Sequence, residues 1–251
     1  MEKEQKKHFL SIIIPTYKQE QTIVKNIRHI KSALDKIRYN YEIIVVIDGI
    51  LDNASRTIRN AKIPHVKTIT YAKNQGKAHA IRVGMKRAVG DYVMYMDSGQ
   101  EINPNGISML LEHMEWYQAD IIVGSKRHPA SLVHYPLIRK ILSYGYYYLV
   151  KVLFNIKVRD TQAGIKIYRN RVLKRILPRL VEKKFAGDLE MLVVARTLGY
   201  KKIYEAPIKL NYNLGGVTSA ATWKSIWGIL VDTIAIYYRT FVLRYYEKNK
   251  K

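Results

Sequence analysis

Three residues of this chain stand where an apolar run gives out. Tyr17 follows Ser11-Ile12-Ile13-Ile14-Pro15-Thr16, Asp48 follows Val45-Val46-Ile47, and Asp97 follows Tyr92-Val93-Met94-Tyr95-Met96. Runs of this kind read as strands, and in open α/β sheets ligands bind beyond the carboxyl ends of the strands. A flat ring and two carboxylates collected at such ends are expected of a nucleotide site and not of three unrelated surface residues. Beside Tyr17, Gln19 and Glu20 offer hydrogen-bond acceptors. Asn74-Gln75-Gly76-Lys77-Ala78 opens a helical stretch, and a helix N-terminus with a lysine beside it suits an anion. It is not a Walker A loop, because it has no second glycine at the required spacing and no Ser or Thr after Lys77. Each segment also has a plainer reading: a strand-to-helix turn with an early acidic residue, an Asp-Gly turn, a helix start.

The elements that must position these residues follow from the pattern. Strands are expected over 10–14, 41–47, 66–71, 92–97 and 121–125, and helices over 21–34, 53–59, 77–88 and 107–117. Pro104 after Asn103 supplies a start signal for the last helix. Alternating short strands and amphipathic helices predict an α/β fold with a mostly parallel sheet flanked by helices. Further along, helices are expected over 138–154, 170–180 and 189–197, with strands over 165–168, 202–205 and 208–212. Tyr144, Tyr146, Tyr147 and Tyr148 cluster in the first of these helices, either as core or as a lipid groove. A terminal helix over 223–246 carries only Asp232 as a charge between Lys224 and Arg239. Its Trp223, Trp227, Tyr237, Tyr238, Tyr245 and Tyr246, with a lysine tail behind them, favour an interfacial amphipathic helix over one packed on the sheet. The organisation expected is a folded unit over 1–222, with a first half at 9–125 and a second at 126–222, followed by a helix and basic tail over 223–251.

Composition bounds the partners. At 251 residues the chain can bury a full core. A formal charge of +23, interleaved with 20 tyrosines, points to phosphorylated substrates and an anionic membrane surface. There each nearby Lys or Arg contributes roughly 1 kcal/mol. No nucleic-acid module or basic recognition helix is present, so no nucleic acid is expected. The lack of cysteine excludes a disulfide scaffold and thiolate chemistry and is compatible with a reducing compartment. The seven histidines are scattered without metal spacing. Neither a signal-peptide pattern nor the ~20 uninterrupted apolar residues of a spanning helix is found. The expectation is a peripheral protein on the cytoplasmic face of a membrane.

Taken in order, the motifs resemble the family 2 glycosyltransferases of GT-A fold, and within them the enzymes that place a sugar on a polyprenyl phosphate. Pro15-Thr16-Tyr17-Lys18-Gln19-Glu20 is similar to the Pro-x-Tyr-Asn-Glu-Glu loop that wraps base and ribose. Val45-Val46-Ile47-Asp48-Gly49-Ile50-Leu51-Asp52 keeps half of the Asp-Asp-Gly-Ser-x-Asp loop, with Asp48 expected at the base. Asn74–Ala78 is similar to the Asn-x-Gly-Lys-Gly turn near the nucleotide phosphates, giving roles to Gly76 and Lys77. Asp97-Ser98-Gly99-Gln100-Glu101 stands at the metal-binding Asp-x-Asp, where Gly99 replaces the second aspartate and Glu101 takes the Gln position. The resemblance implies Mg or Mn on Asp97, Glu101 and substrate phosphates. If no cation binds, Lys77, Lys126 and Arg127 are candidates to supply the neutralising charge.

The acceptor motifs are better preserved. Gly124-Ser125-Lys126-Arg127-His128 resembles the Gly-Ser-Arg that holds phosphate, where Arg127 can make a bidentate contact. Asp160-Thr161-Gln162-Ala163-Gly164-Ile165-Lys166 looks most like dolichyl-phosphate glucosyltransferases. It implies Asp160 near the reacting centre, with Gln162 and Lys166 joining Ser125, Lys126 and Arg127 around a lipid phosphate. Phe185-Ala186-Gly187-Asp188-Leu189-Glu190 and Glu205-Ala206-Pro207 complete the series, Asp188 and Glu190 either supporting the site or packing a helix start. The implied activity is inverting transfer of a sugar, glucose from UDP-glucose, to a polyprenyl or dolichyl phosphate, with Asp97, Asp160 and Arg127 as catalytic residues. Two alternatives stand beside it: a mannosyl or other transferase using GDP-mannose on the same lipid, and a non-catalytic nucleotide-sugar-binding protein. A processive polysaccharide synthase is disfavoured, since no Gln-x-x-Arg-Trp motif occurs.

Overall fold

The computed structural model describes residues 8–99, 101–131, 137–210 and 223–248, apart from the side chains of 137–141 and 223–225. Seven strands form one sheet: β1 (Phe9–Thr16), β2 (Asn40–Asp48), β3 (Val66–Tyr71), β4 (Tyr92–Met96), β5 (Ile121–Ser125), β6 (Ile165–Arg169) and β7 (Ile203–Pro207). Their order is β3-β2-β1-β4-β6-β5-β7. The β1–β2, β2–β3, β1–β4 and β5–β7 pairs are parallel. β6 lies antiparallel to both β4 and β5. A mostly parallel α/β sheet is therefore confirmed. The antiparallel insertion of β6 between two strands that precede it in the chain is the feature the local pattern did not show.

Central strands buried on both faces read as continuous hydrophobic runs. In β1, Ile12 and Ile14 join one core while Ile13 joins the other. The first core is closed by α1 (Ile23–Leu34), α2 (Ala54–Asn60) and α4 (Ile107–Trp116). The second is closed by α3 (Lys77–Arg87), α5 (Leu137–Phe154), α6 (Asn170–Ile176) and α7 (Gly187–Thr197). Each fully buried Ile or Leu in these layers contributes about 1.5–3 kcal/mol, so the sheet is a rigid platform for the loops at its carboxyl edge.

The chain's last elements are α8 (Trp223–Tyr237), a π turn over Tyr238–Val242 and α9 (Tyr245–Lys248). The expected continuous helix over 223–246 is thus interrupted; Arg244 turns the chain with a positive φ of 48°. Tyr246, expected at an interface, is instead fully buried. Its hydroxyl donates to Glu190 Oε1 at 2.7 Å, and Arg179 Nε donates to its carbonyl at 3.0 Å. Glu190 also accepts from the backbone N–H groups of Val181 and Glu182, and Arg239 bridges Glu190 and Glu182. These contacts fasten the terminal helices to α7. The strand expected over 208–212 is reduced, in its described part, to a bridge between Ile102 and Leu210; 211 and 212 lie outside the described residues. Proline 178 also ends α6 earlier than expected, in a 3-10 turn over Leu177–Arg179.

Candidate functional site

The loops after β1 and β2 are cross-linked by their own acids. Glu20 Oε2 accepts from the Asn53 N–H at 3.0 Å, and Asp52 Oδ2 accepts from the Glu20 N–H at 3.0 Å. Pro15 and Ser98 join the ends of β1 and β4, the Ser98 hydroxyl donating to the Pro15 carbonyl at 3.0 Å. Tyr17 stands about half exposed, with Lys18 Nζ over its ring. Gln19 Oε1 is buried without a hydrogen-bond partner among the described residues. Orphaned acceptors of this kind are uncommon.

Asp48, expected at the base, is engaged within the protein. Its carboxylate accepts from the Tyr71 hydroxyl at 2.8 Å and from the N–H groups of Gln75 and Gly76 at 2.7 and 2.9 Å. It shapes the turn that starts α3. Gly76 has φ of 100°, and a Cβ there would meet the Lys183 carbonyl oxygen at 2.5 Å. Only glycine fits both the dihedral and the contact.

This turn delivers Lys77 to the centre of the site. Lys77 Nζ lies 2.9 Å from Asp97 Oδ1, 3.1 Å from Asp97 Oδ2 and 3.5 Å from Asp188 Oδ2. On the far side of Asp188, Lys166 Nζ approaches Oδ1 at 2.8 Å and donates to the Tyr95 hydroxyl at 2.6 Å and the Ala163 carbonyl at 2.9 Å. Two ammoniums and two carboxylates thus balance. Burial opposes ionisation of Asp188, but Lys166 and Lys77 outweigh it and hold its carboxyl below the usual carboxylate range. For Lys77 burial works against the charge, and Asp97 and Asp188 overcome it, raising the ammonium's pKa. Lys166 differs: burial pulls its pKa down despite Asp188. Expected beside a lipid phosphate, Lys166 is fully buried and spent on Asp188. Its role here is to position the network, not to touch a ligand.

β6 makes this centre by bringing Gly164 against Asp97. The Asp97 N–H donates to the Gly164 carbonyl at 2.8 Å, and a Cβ on Gly164 would lie 2.2 Å from Asp97 Oδ2 and 2.7 Å from its Cγ. Gly164→Ala is therefore expected to displace the Asp97 carboxylate and lower kcat by about tenfold, equivalent to about 1.4 kcal/mol. Steady-state kinetics beside a thermal melt checks this, the melt remaining cooperative.

The remaining residues gather at the end of β5. Lys126, Arg127, Ser143, Tyr146, Asp160, Thr161 and Gln162 line a cavity of about 160 Å³. Asp160 Oδ2 accepts from the Lys126 N–H at 3.0 Å, and the Ser125 hydroxyl accepts from the Arg127 N–H at 3.2 Å. Glu205 Oε1 holds the chain from the other side, accepting from the N–H groups of Arg159 and Asp160 at 2.7 and 3.2 Å. The Arg127 guanidinium donates to the carbonyls of Arg159 and Ser143 and lies over the rings of Tyr144 and Tyr147. Gln162 Nε2 donates to the Tyr146 hydroxyl at 3.3 Å. The predicted acceptor residues Ser125, Lys126, Arg127, Asp160 and Gln162 therefore do come together. Ser143, Thr161 and the Tyr95 hydroxyl were not singled out: Thr161 and Tyr95 stand inside quoted motifs without a role of their own, and nothing in the neighbourhood of Ser143 distinguishes it.

A divalent ion fits these residues poorly. Both oxygens of Asp97 face the Lys77 ammonium, and Gly99 brings no side chain. Glu101 is half-buried beside the Ile102 bridge. Among the described residues, no group of three or more His, Asp or Glu could hold a metal ion.

Comparison with known proteins gives the family and the fold. The profile described as Glycosyl transferase family 2 matches residues 11–177. The human dolichyl-phosphate β-glucosyltransferase is 29% identical over 219 residues, covering 81% of this chain and 67% of the relative. The corresponding proteins of Trichomonas vaginalis and Saccharomyces cerevisiae are 28% and 24% identical, covering 81% and 97% of this chain. They are covered to 66% and 78% of their own length, so the chain spans about two thirds to three quarters of these relatives. Among solved structures, glucosyl-3-phosphoglycerate synthase from Mycobacterium tuberculosis, in complex with Mn2+, UDP and phosphoglyceric acid, superposes with a TM-score of 0.70 at 13% identity. That match covers 92% of this chain and 78% of the other. Mannosyl-3-phosphoglycerate synthase from Rubrobacter xylanophilus gives 0.69 at 14% identity, covering 94% and 75%. These two likenesses establish the fold.

Proposed function

Because the chain belongs to glycosyl transferase family 2, we propose that it transfers glucose from UDP-glucose to the phosphate of a polyprenyl or dolichyl phosphate at a membrane surface. The observation that carries this reading is the bond between Asp97 and Gly164, which sets the loop of the donor side directly against the segment that lines the basic cavity. The names of the relatives supply the substrate class.

The nucleophile is an oxygen of a phosphate monoester, largely ionised near neutral pH, so a strong general base is not required. It attacks the anomeric carbon as the bond from that carbon to the diphosphate oxygen breaks, and the electron pair leaves with UDP. One displacement inverts the centre and gives a β-linked product from an α-linked donor. What the protein adds is alignment and electrostatic stabilisation. Lys126 and Arg127 hold the acceptor phosphate, Asp160 fixes the backbone at Lys126, and the start of α3 receives the leaving diphosphate. Gln19 and Tyr17 take the base.

The membrane reading rests on exposed apolar side chains. Trp227, Val231 and Ile234 of α8 and Tyr148 and Val152 of α5 are all more than half exposed. Arg244, Lys248 and Lys151 add charge nearby in the sequence, as a peripheral, interfacial helix requires. No helix among the described residues is long and apolar enough to cross a membrane.

The test is a donor panel. Purified protein receives labelled UDP-glucose, UDP-N-acetylglucosamine or GDP-mannose with a polyprenyl phosphate in detergent. Glucosylated lipid from UDP-glucose is expected. Transfer from GDP-mannose alone would replace the sugar assignment, and no transfer from any donor despite nucleotide binding would support a non-catalytic protein.

A further inference from the structure

The position where the resemblance implies a divalent cation carries a different positive charge. Lys77 Nζ meets both oxygens of Asp97, at 2.9 and 3.1 Å, and is steadied from behind by Asp188 at 3.5 Å. The second carboxylate of the Asp-x-Asp pattern is replaced by Gly99, and a Cβ there would meet nothing within 4 Å. The open space at 99 shows that packing does not exclude a side chain at that position. Lys77 is also the first residue of α3, an 11-residue helix whose N-terminus carries about half a positive charge. The helix end adds its partial positive charge beside an ammonium whose own charge is shared with Asp97 and Asp188. Asp97 then acts as the group that aims Lys77, as one carboxylate would otherwise aim a metal.

We propose that the Lys77 ammonium, held by Asp97 and Asp188 at the start of α3, replaces the divalent cation at the leaving diphosphate, so that this chain binds nucleoside diphosphates without Mg2+ or Mn2+. The proposal rests on the reading of the site as one for a nucleotide-sugar, and it concerns binding, so it is tested without turnover.

The experiment is calorimetric titration of UDP, and of GDP in parallel, into the full chain in buffer with EDTA and in buffer with Mg2+ or Mn2+. Wild type is expected to bind with the same affinity in both. Lys77→Met is expected to lose about tenfold or more in EDTA, a change of about 1.4 kcal/mol, with circular dichroism reporting that it is folded. Gly99→Asp, made where space exists, is expected to weaken binding in EDTA and to recover it when Mn2+ is added, so that a metal requirement appears. Wild-type binding that needs Mg2+ or Mn2+ overturns the proposal, as does a folded Lys77→Met that binds normally in EDTA. Metal-free binding without sugar transfer in the donor panel leaves the proposal standing and removes the transferase reading. Failure to bind either nucleotide under any condition removes both.

Discussion

Asp188→Ala is expected to destabilise the protein by about 3–5 kcal/mol, the usual cost of removing one partner from a buried ion pair. The reason lies in what it leaves behind. Lys166 is fully buried, and its ammonium has Asp188 as its ion-pair partner, with the Tyr95 hydroxyl and Ala163 carbonyl as acceptors. Without the carboxylate, a desolvated positive charge remains in the sheet, and the Tyr95 hydroxyl loses its acceptor on Asp188. A urea titration measures the loss. Replacing both partners, as Asp188→Leu with Lys166→Met, is expected to cost less than the two single changes summed, because no unpaired charge remains. A pH series gives the same answer from another side. The folded-state pKa of Asp188 lies below its ordinary value, so its contribution is present above the unfolded-state pKa of about 3.9 and is lost as pH falls through the folded value. The Asp188→Ala protein should lack that part of the acid limb; an unchanged limb and a loss under about 1 kcal/mol would show that the pair is not formed.

Arg127→Ala is expected to lower kcat/KM for the polyprenyl phosphate by about ten- to a hundredfold, the 1.5–3 kcal/mol of a hydrogen bond to a charged group. Affinity for UDP should stay unchanged. The guanidinium is fixed in advance by the carbonyls of Arg159 and Ser143 and by the rings of Tyr144 and Tyr147. With five N–H donors it can keep these bonds and still present others to a phosphate. A residue that only tied α5 to β5 would lower the melting temperature and affect donor and acceptor alike. Arg127→Lys restores the charge but not the planar fork, so it should recover only part of the acceptor affinity. Initial rates against each substrate separate these outcomes.

Much of this was legible before any coordinates. Ile12–Ile14 and Val45–Ile47 are dense β-branched runs, and strands buried on both faces leave that trace wherever they occur. The family and the α/β architecture followed from motifs at the ends of those runs. Local pattern carried less about pairing. Ile165-Lys166-Ile167 gives a strand with a lysine in it, but whether that lysine meets solvent, phosphate or a carboxylate depends on which strands flank it. Its partner Asp188 lies 22 residues away on α7, a distance at which spacing says nothing. Asp48 presents the same difficulty: an aspartate at a strand end looks alike whether it binds a base or closes the turn at Gln75 and Gly76. Tyr246 was misplaced for a related reason, since an aromatic residue near basic ones suits an interface as well as a buried bond to Glu190.

The central claim is that the cavity bounded by Arg127, Asp160 and Gln162 takes a phosphate as the sugar acceptor. Its most direct test compares polyprenyl phosphate with the unphosphorylated polyprenol of the same chain length, each supplied with labelled UDP-glucose, and identifies the lipid product and its anomeric linkage by NMR. The account predicts β-linked glucosyl phosphate lipid from the phosphate alone. Equal transfer to the free alcohol, or an α-linked product, would contradict it.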